Sequence, residues 1–354
     1  MRPYDWHAEA WQELWGKASR FPHAILLGGQ DGLGKTKFGE ALVARLLCEN
    51  FTVAADVACG KCDSCVWLRS GNHPDYRLVQ PEDTSATEAG EEGGDPILMD
   101  ATIRKTAQGQ LRIDQIRALE DFVFVGSHRH GNRVVLISQA ETMNPAAANA
   151  LLKILEEPPA SVYFILISSH WRRLLPTLRS RCRKLILGYP TATVARSWLE
   201  NRSVKNAAAL LDLAGGVPLE AADWSDAGQF ETYSNLIETL LGGTTDPVAL
   251  AGKWANLLKA GSGLPLWRLV EAMQKWILDL GMLRIAGRCR YHRAWENKMT
   301  VLVGKASVQG ISACYNDLLR IRAVAKHPLN PQLFLEDMAA RYLRVLTPNK
   351  AQQV

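Results

Sequence analysis

Gly29-Gln30-Asp31-Gly32-Leu33-Gly34-Lys35-Thr36, residues 29–36, fits the pattern G-x-x-x-x-G-K-T. Each residue type in it has a chemical reason. Gly29, Gly32 and Gly34 let backbone N–H groups curl around phosphate oxygens, Lys35 reaches the β/γ-phosphates, and the Thr36 hydroxyl holds Mg²⁺. The flanks add weight to the pattern. The apolar run Ala24 to Leu27 before it reads as a strand, and Phe38, Leu42, Leu46 and Leu47 after it supply the apolar stripe of a helix over about 36–48. Strand, glycine-rich loop and helix in that order predict a nucleotide-phosphate site, with a vestigial loop as the alternative.

Further along, the turn Asn72-His73-Pro74-Asp75 leads into a strand at Tyr76 to Val79, and Ile113, Ile116 and Leu119 recur at helical spacing. Arg133 to Ile137 reads as a buried strand. Pro145 to Glu157 is an amphipathic helix stopped by Pro158-Pro159, Ser161 to Ser168 is a strand, a helix starts at about Leu174, and Lys184 to Leu187 is a last strand. Such alternation predicts an α/β unit, a parallel sheet covered by helices on both faces, over residues 1–188. Beyond Gly188-Tyr189-Pro190 the pattern turns helical: short helices over 191–225 around Gly215-Gly216-Val217-Pro218, then long ones from Phe230 to Val345.

Length and composition agree. A chain of 354 residues allows two or three domains, and 47% hydrophobic with 22% charged residues excludes a disordered tail. The longest apolar runs, such as Val162 to Ile167, fall short of the ~18 residues that span a bilayer, so no membrane segment is expected. Met1 to Trp15 interleaves charged with apolar residues and lacks the apolar core of a secretory signal, which predicts a cytoplasmic protein. The net charge of +5 is unevenly spread. Residues 246–354 hold 16 Lys/Arg against 7 Asp/Glu, whereas six acids and no basic residue lie between Glu82 and Asp95, in a segment (81–95) read as a surface insertion. The basic third is compatible with a polyanionic partner and equally with solvated helical faces.

Seven cysteines cannot pair completely within the chain. Four of them, Cys48, Cys59, Cys62 and Cys65, have the spacing C-x10-C-x2-C-x2-C. Four thiolates can enclose Zn²⁺ tetrahedrally with no open position, which predicts a structural metal site, with His73 as an alternative ligand. Cys182, Cys289 and Cys314 are scattered and read as core residues.

Hydrolysis at a phosphate loop needs an Asp at the end of a neighbouring strand to hold Mg²⁺ and a carboxylate to position water. Here the strand Val134 to Ile137 ends in Ser138 and Gln139; Glu141, the nearest acid, lies in the turn beyond the strand end and is not taken as a substitute. The loop is therefore expected to hold ATP or ADP, if at all, without hydrolysing it. Ser180-Arg181-Cys182 follows a helix, where an exposed arginine is by default only solvated.

Together these residues resemble the delta-prime family of bacterial DNA polymerase III clamp-loader subunits, within the AAA+ clamp loaders. The resemblance is carried by His23 to Leu27, the four clustered cysteines, Gly71 to Tyr76, Ile113 to Arg117, Ala146 to Pro159 and Leu174 to Cys182. It implies a P-loop AAA+ (RecA-like) module over 1–188 with a zinc module at 48–65, a small helical lid over 189–228 and an all-α collar over 229–354. It also implies gamma/tau and delta as partner subunits, with the sliding clamp (beta) and primer-template DNA met through the complex. In that setting Arg181 would be an arginine finger, offered in trans to ATP on the adjacent motor subunit. A gamma/tau-like motor is the near competitor, but it is expected to carry Asp-Glu where Ser138-Gln139 stands and a sensing arginine near Gly215 to Leu219, where none is present. An independent DNA-dependent ATPase and a pure scaffold are the other readings.

Overall fold

The computed structural model describes residues 1–16, 21–50, 57–81, 109–124, 131–259, 264–322, 324–325 and 330–346. The acidic segment read as an insertion lies almost wholly outside them. The chain divides into two compact units, Met1–Tyr189 and Pro190–Val354.

The first unit is built on five parallel strands, β1 (Ala24–Gly28), β2 (Tyr76–Val79), β3 (Arg133–Ile137), β4 (Val162–Ser168) and β5 (Arg183–Ile186), in the order β2-β3-β4-β1-β5. Alternation along each strand assigns the two faces. Ile25 and Leu27 of β1 join Val134 and Leu136 of β3 and Ile165 and Ile167 of β4 in a core completed by Trp11 and Leu14 of α1 (Ala8–Gly16) and by Phe38 and Leu42 of α2 (Lys35–Leu47). Ala24, Leu26, Val135, Ile137, Phe164 and Leu166 face the other way, against Ile116 and Leu119 of α4 (Ile113–Phe124) and Leu151 and Ile154 of α5 (Pro145–Glu156). A short helix α3 (Asp63–Arg69) precedes β2. Because all five strands run parallel, the loop after β1 and the ends of β3 and β4 lie at one edge of the sheet; Gly28 pairs with Ser168 there.

Local chemistry explains the helix ends. Asn144 Oδ1 caps α5 by accepting the Ala147 N–H at 2.7 Å, with Pro145 at the first helical position. The helix expected from about Leu174 begins later, as α6 (Pro176–Arg181). The proline sets this start: it favours extended backbone at Leu175, and a 3₁₀ turn at Trp171–Arg173 occupies the preceding residues.

The second unit is helical: α7 (Ala192–Asn201), α8 (Ala207–Leu213), α9 (Pro218–Asp226), α10 (Gln229–Leu241), α11 (Pro247–Lys259), α12 (Leu266–Ala286), α13 (Glu296–Val303), α14 (Val308–Arg322) and α15 (Pro331–Leu346). Its core holds three fully buried tryptophans, Trp224, Trp254 and Trp276. Arg268 of α12 pairs with Glu220 of α9 at 3.1 Å, and Lys275 of α12 donates to Leu213 O at 2.9 Å. These bonds cross the lid–collar boundary expected at residue 228. Among the described residues no helix is long and apolar enough to cross a membrane.

Candidate functional site

The loop of residues 29–34 leaves β1 and enters α2, and two of its glycines are required by shape. Gly29 has φ +150°, and a Cβ there would stand 2.8 Å from Leu187 O. Gly34, at the α2 N-cap, has φ +88°, and a Cβ would meet Tyr4 Cδ2 at 2.5 Å. Lys35 Nζ is buried under the loop, donating to Gln30 O at 2.8 Å and lying 3.5 Å from Asp31 Oδ1. Burial holds its pKa below the ordinary lysine value, opposed by the negative charges of Asp31 and Glu141. The loop apex is tied to the sheet edge as well: Ser169 Oγ hydrogen-bonds Asp31, and Tyr189 O–H donates to Gln30. Thr36 is half-buried in the first turn of α2.

An aromatic segment near the N-terminus packs on this loop. Tyr4 and Trp6 stack with centroids 4.4 Å apart, Trp6 Nε1–H donates to Leu33 O at 3.2 Å, and Lys37 Nζ sits 4.1 Å from the centre of the Tyr4 ring. Sequence reasoning missed it. The aromatics Tyr4 and Trp6 were visible, but nothing in local spacing links them to residues 33–37.

At the end of β3, Ser138 is buried and Gln139 turns the chain at φ +50° into a 3₁₀ turn, Ala140–Thr142. That turn returns Glu141 to the end of β4, where its Oε1 accepts the Ser169 N–H at 3.0 Å. Sequence position alone set Glu141 aside as lying beyond the strand. The fold brings its charge to bear on Lys35.

The four expected cysteines converge, with all four Sγ atoms within 4.8 Å of one another. Cys48 follows the last turn of α2, Cys62 immediately precedes α3 and Cys65 lies in its first turn. Between Cys59 and Cys65 the Sγ separation is 3.9 Å, close to the ~3.8 Å that a tetrahedron with ~2.3 Å Zn–S bonds requires. Main-chain N–H groups of Lys61 and Cys62 both donate to Cys59 Sγ at 3.4 Å and bring its pKa down to about 6; burial pushes Cys65 up. This donor set suits a soft, tetrahedral metal ion. His73 is not part of it. His73 Nδ1 accepts the Asp75 N–H at 3.0 Å, which leaves the proton on Nε2, 2.7 Å from Ser64 Oγ; Ser64 in turn donates to Leu47 O at 2.6 Å. The ring therefore braces the end of α2 beside the cysteines. Cys182, Cys289 and Cys314 are buried, with thiols pushed up to about 11, 12 and 12 by burial.

Arg181 ends α6 with its side chain 35% exposed. Its Nη2 pairs with Glu156 of α5, and its Nη1 donates to Thr177 O at 3.2 Å.

A five-stranded parallel sheet with a glycine loop after β1 and a helix entered through Lys35 and Thr36 defines a P-loop module. Residues 7–190 match the family described as DNA polymerase III, delta subunit. The DNA polymerase III subunit delta' of Pseudomonas aeruginosa is 34% identical over 79% of this chain and 77% of its own length, and that of Escherichia coli is 28% identical over 98% and 97%. A DNA polymerase III gamma subunit-related protein of Thermotoga maritima superposes with TM-score 0.45 at 18% identity, covering 95% of this chain and 98% of that one. The chain belongs to the delta-prime family of DNA polymerase III subunits.

Proposed function

We propose that the chain serves as the stator-type subunit of a DNA polymerase III clamp loader, holding nucleotide at residues 29–36 without hydrolysing it and offering Arg181 in trans to ATP on an adjacent gamma/tau subunit. The observation that carries this reading is the end of β3. Ser138 is buried and Gln139 sits in left-handed backbone, and neither is an acid, so the strand end offers the phosphate loop no carboxylate of its own to hold Mg²⁺ or to activate water. Hydrolysis then belongs to a neighbour, and this chain's part is to supply positive charge. Arg181 suits that part: a one-third-exposed guanidinium at a helix end, whose pairing with the Glu156 carboxylate can be exchanged for a phosphate oxygen.

Around that role, gamma/tau and delta are the expected partner subunits, with the sliding clamp and primer-template DNA reached through the complex. Residues 189–228 would be the lid and 229–354 the collar, joined through Glu220 and Arg268. Zn²⁺ held by Cys48, Cys59, Cys62 and Cys65 would be structural, closing the segment between α2 and α3.

The test is a loader reconstituted from this chain with gamma/tau and delta. Arg181→Ala is expected to lower DNA-stimulated ATP turnover by more than about tenfold while the subunits still co-elute. Unchanged turnover overturns the finger, and motor-like turnover by the isolated chain overturns the assignment of hydrolysis to a neighbour.

A further inference from the structure

Glu141 stands out because its two carboxylate oxygens are treated differently. Its side chain is only 12% exposed. Oε1 accepts main-chain N–H groups from Ser169 at 3.0 Å and His170 at 3.3 Å and lies 3.5 Å from His170 Nδ1. Oε2 is buried and has no hydrogen-bond partner among the described residues. Buried polar atoms are almost always satisfied, so an orphaned carboxylate oxygen asks for a ligand.

Its position says which kind. Ser169, which holds Oε1 through its amide, also hydrogen-bonds Asp31 at the apex of the phosphate loop through its hydroxyl. Ser168, one residue earlier, pairs with Gly28 immediately before the loop. The carboxylate is thereby fixed at the same sheet edge as Lys35, and its charge acts on the Lys35 ammonium. A polyphosphate entering alone would bring further negative charge to a place that already holds Glu141 and Asp31. One carrying a divalent cation would give Oε2 the partner it lacks.

We propose that the loop takes a nucleoside di- or triphosphate as its divalent-cation complex, with Glu141 Oε2 directed to the cation in place of the acid missing at Ser138 and Gln139. This rests on the nucleotide reading above. The left-handed turn at Gln139 makes it sterically possible, because it reverses the chain after β3 and carries a residue from beyond the strand back to the strand edge.

The experiment uses the full chain, titrated calorimetrically with ADP in Mg²⁺ and in EDTA. Wild type is expected to bind ADP at least about tenfold tighter with Mg²⁺. In Glu141→Gln the Gln Oε1 can still accept both amides, so folding is retained; the advantage from Mg²⁺ should collapse toward unity, while binding in EDTA stays equal or tightens. A purely structural role for Glu141 would weaken binding equally in both conditions, and that outcome overturns the proposal, as does a retained Mg²⁺ advantage. A second readout does not depend on the variant: Mn²⁺ followed by electron paramagnetic resonance should bind wild type in the presence of ADP, and free Mn²⁺ alone in that spectrum overturns the proposal. If wild type binds no ADP in either buffer, the nucleotide reading itself has failed. That result differs from wild-type binding with an unaltered Glu141→Gln.

Discussion

Asp279 holds His292 twice, accepting from ring Nδ1 at 2.8 Å and from the main-chain N–H at 2.7 Å, with both side chains fully buried. The same carboxylate accepts the N–H groups of Arg290 at 2.9 Å and Tyr291 at 2.8 Å, and Tyr233 O–H reaches His292 Nε2 at 2.9 Å. Nδ1 therefore carries the ring proton and Nε2 accepts from tyrosine. Burial pushes Asp279 up, but these donors outweigh it and leave its carboxyl below the usual range. Asp279→Asn puts an amide N–H among the donors and should cost about 3 kcal/mol. Urea unfolding, together with hydrogen exchange in peptides covering 279–295, checks this; unchanged protection there would refute it.

Stability should fall as the medium is acidified below neutrality. Burial brings His7 down to about 4, so its ring is neutral in the folded chain near pH 6, and burial lowers His292 as well. Unfolded imidazoles take up a proton near pH ~6.5, so the unfolded state binds more protons below that value and stability falls with falling pH. For His7 the gap corresponds to about 3 kcal/mol once pH reaches its folded value. Asp279 does not offset this, because its depressed carboxyl loses its contribution only at lower pH. Melting temperatures between pH 7.5 and 4.5 should decline, and His7→Gln should flatten the decline. A flat wild-type profile is the contrary result.

The cysteine cluster and His73 are expected to separate in their effects. Cys62→Ser or Cys65→Ser should abolish a stoichiometric zinc content and lower the melting temperature, and a chelator should do the same to wild type. His73→Gln should keep the zinc and cost about 1–2 kcal/mol through the lost bridge between Asp75, Ser64 and Leu47. Metal analysis of the purified variants decides it. Zinc loss in His73→Gln would mean the ring acts as a ligand after all.

Features written in short-range spacing were legible. The glycine pattern of 29–36, the apolar runs of β1, β3 and β4, the proline stop after α5 and the two C-x-x-C steps each depend on residues a few positions apart, and the strand Tyr76–Val79 fell where its turn signal placed it. What escaped depends on distance along the chain. Tyr4 meets Gly34 across thirty residues and Glu141 meets Ser169 across 28, joined only once the sheet has formed. The start of α6 was misjudged because Leu174 and Leu175 fit a helical stripe, while Pro176 fixes the first helical position. Asp279 and His292 pair across thirteen residues, and nothing in local spacing marks them as a buried pair.

Gly34 offers a test of how tightly the Tyr4 segment is bound to the phosphate loop. Alanine there is strained by φ +88°, at about 1–2 kcal/mol, and its Cβ would stand 2.5 Å from the Tyr4 ring. Gly34→Ala must therefore either displace Tyr4 or shift the start of α2, and its total cost should exceed the backbone strain alone. Removing the ring with Tyr4→Ala also sacrifices its stacking on Trp6 and its contact with Lys37. In the double variant the clash is gone, so the two costs should combine to less than their sum by about 1 kcal/mol. Strict additivity in a double-mutant cycle read by urea unfolding would show that Tyr4 leaves Gly34 free in solution, and that the loop's shape is set by its own glycines alone.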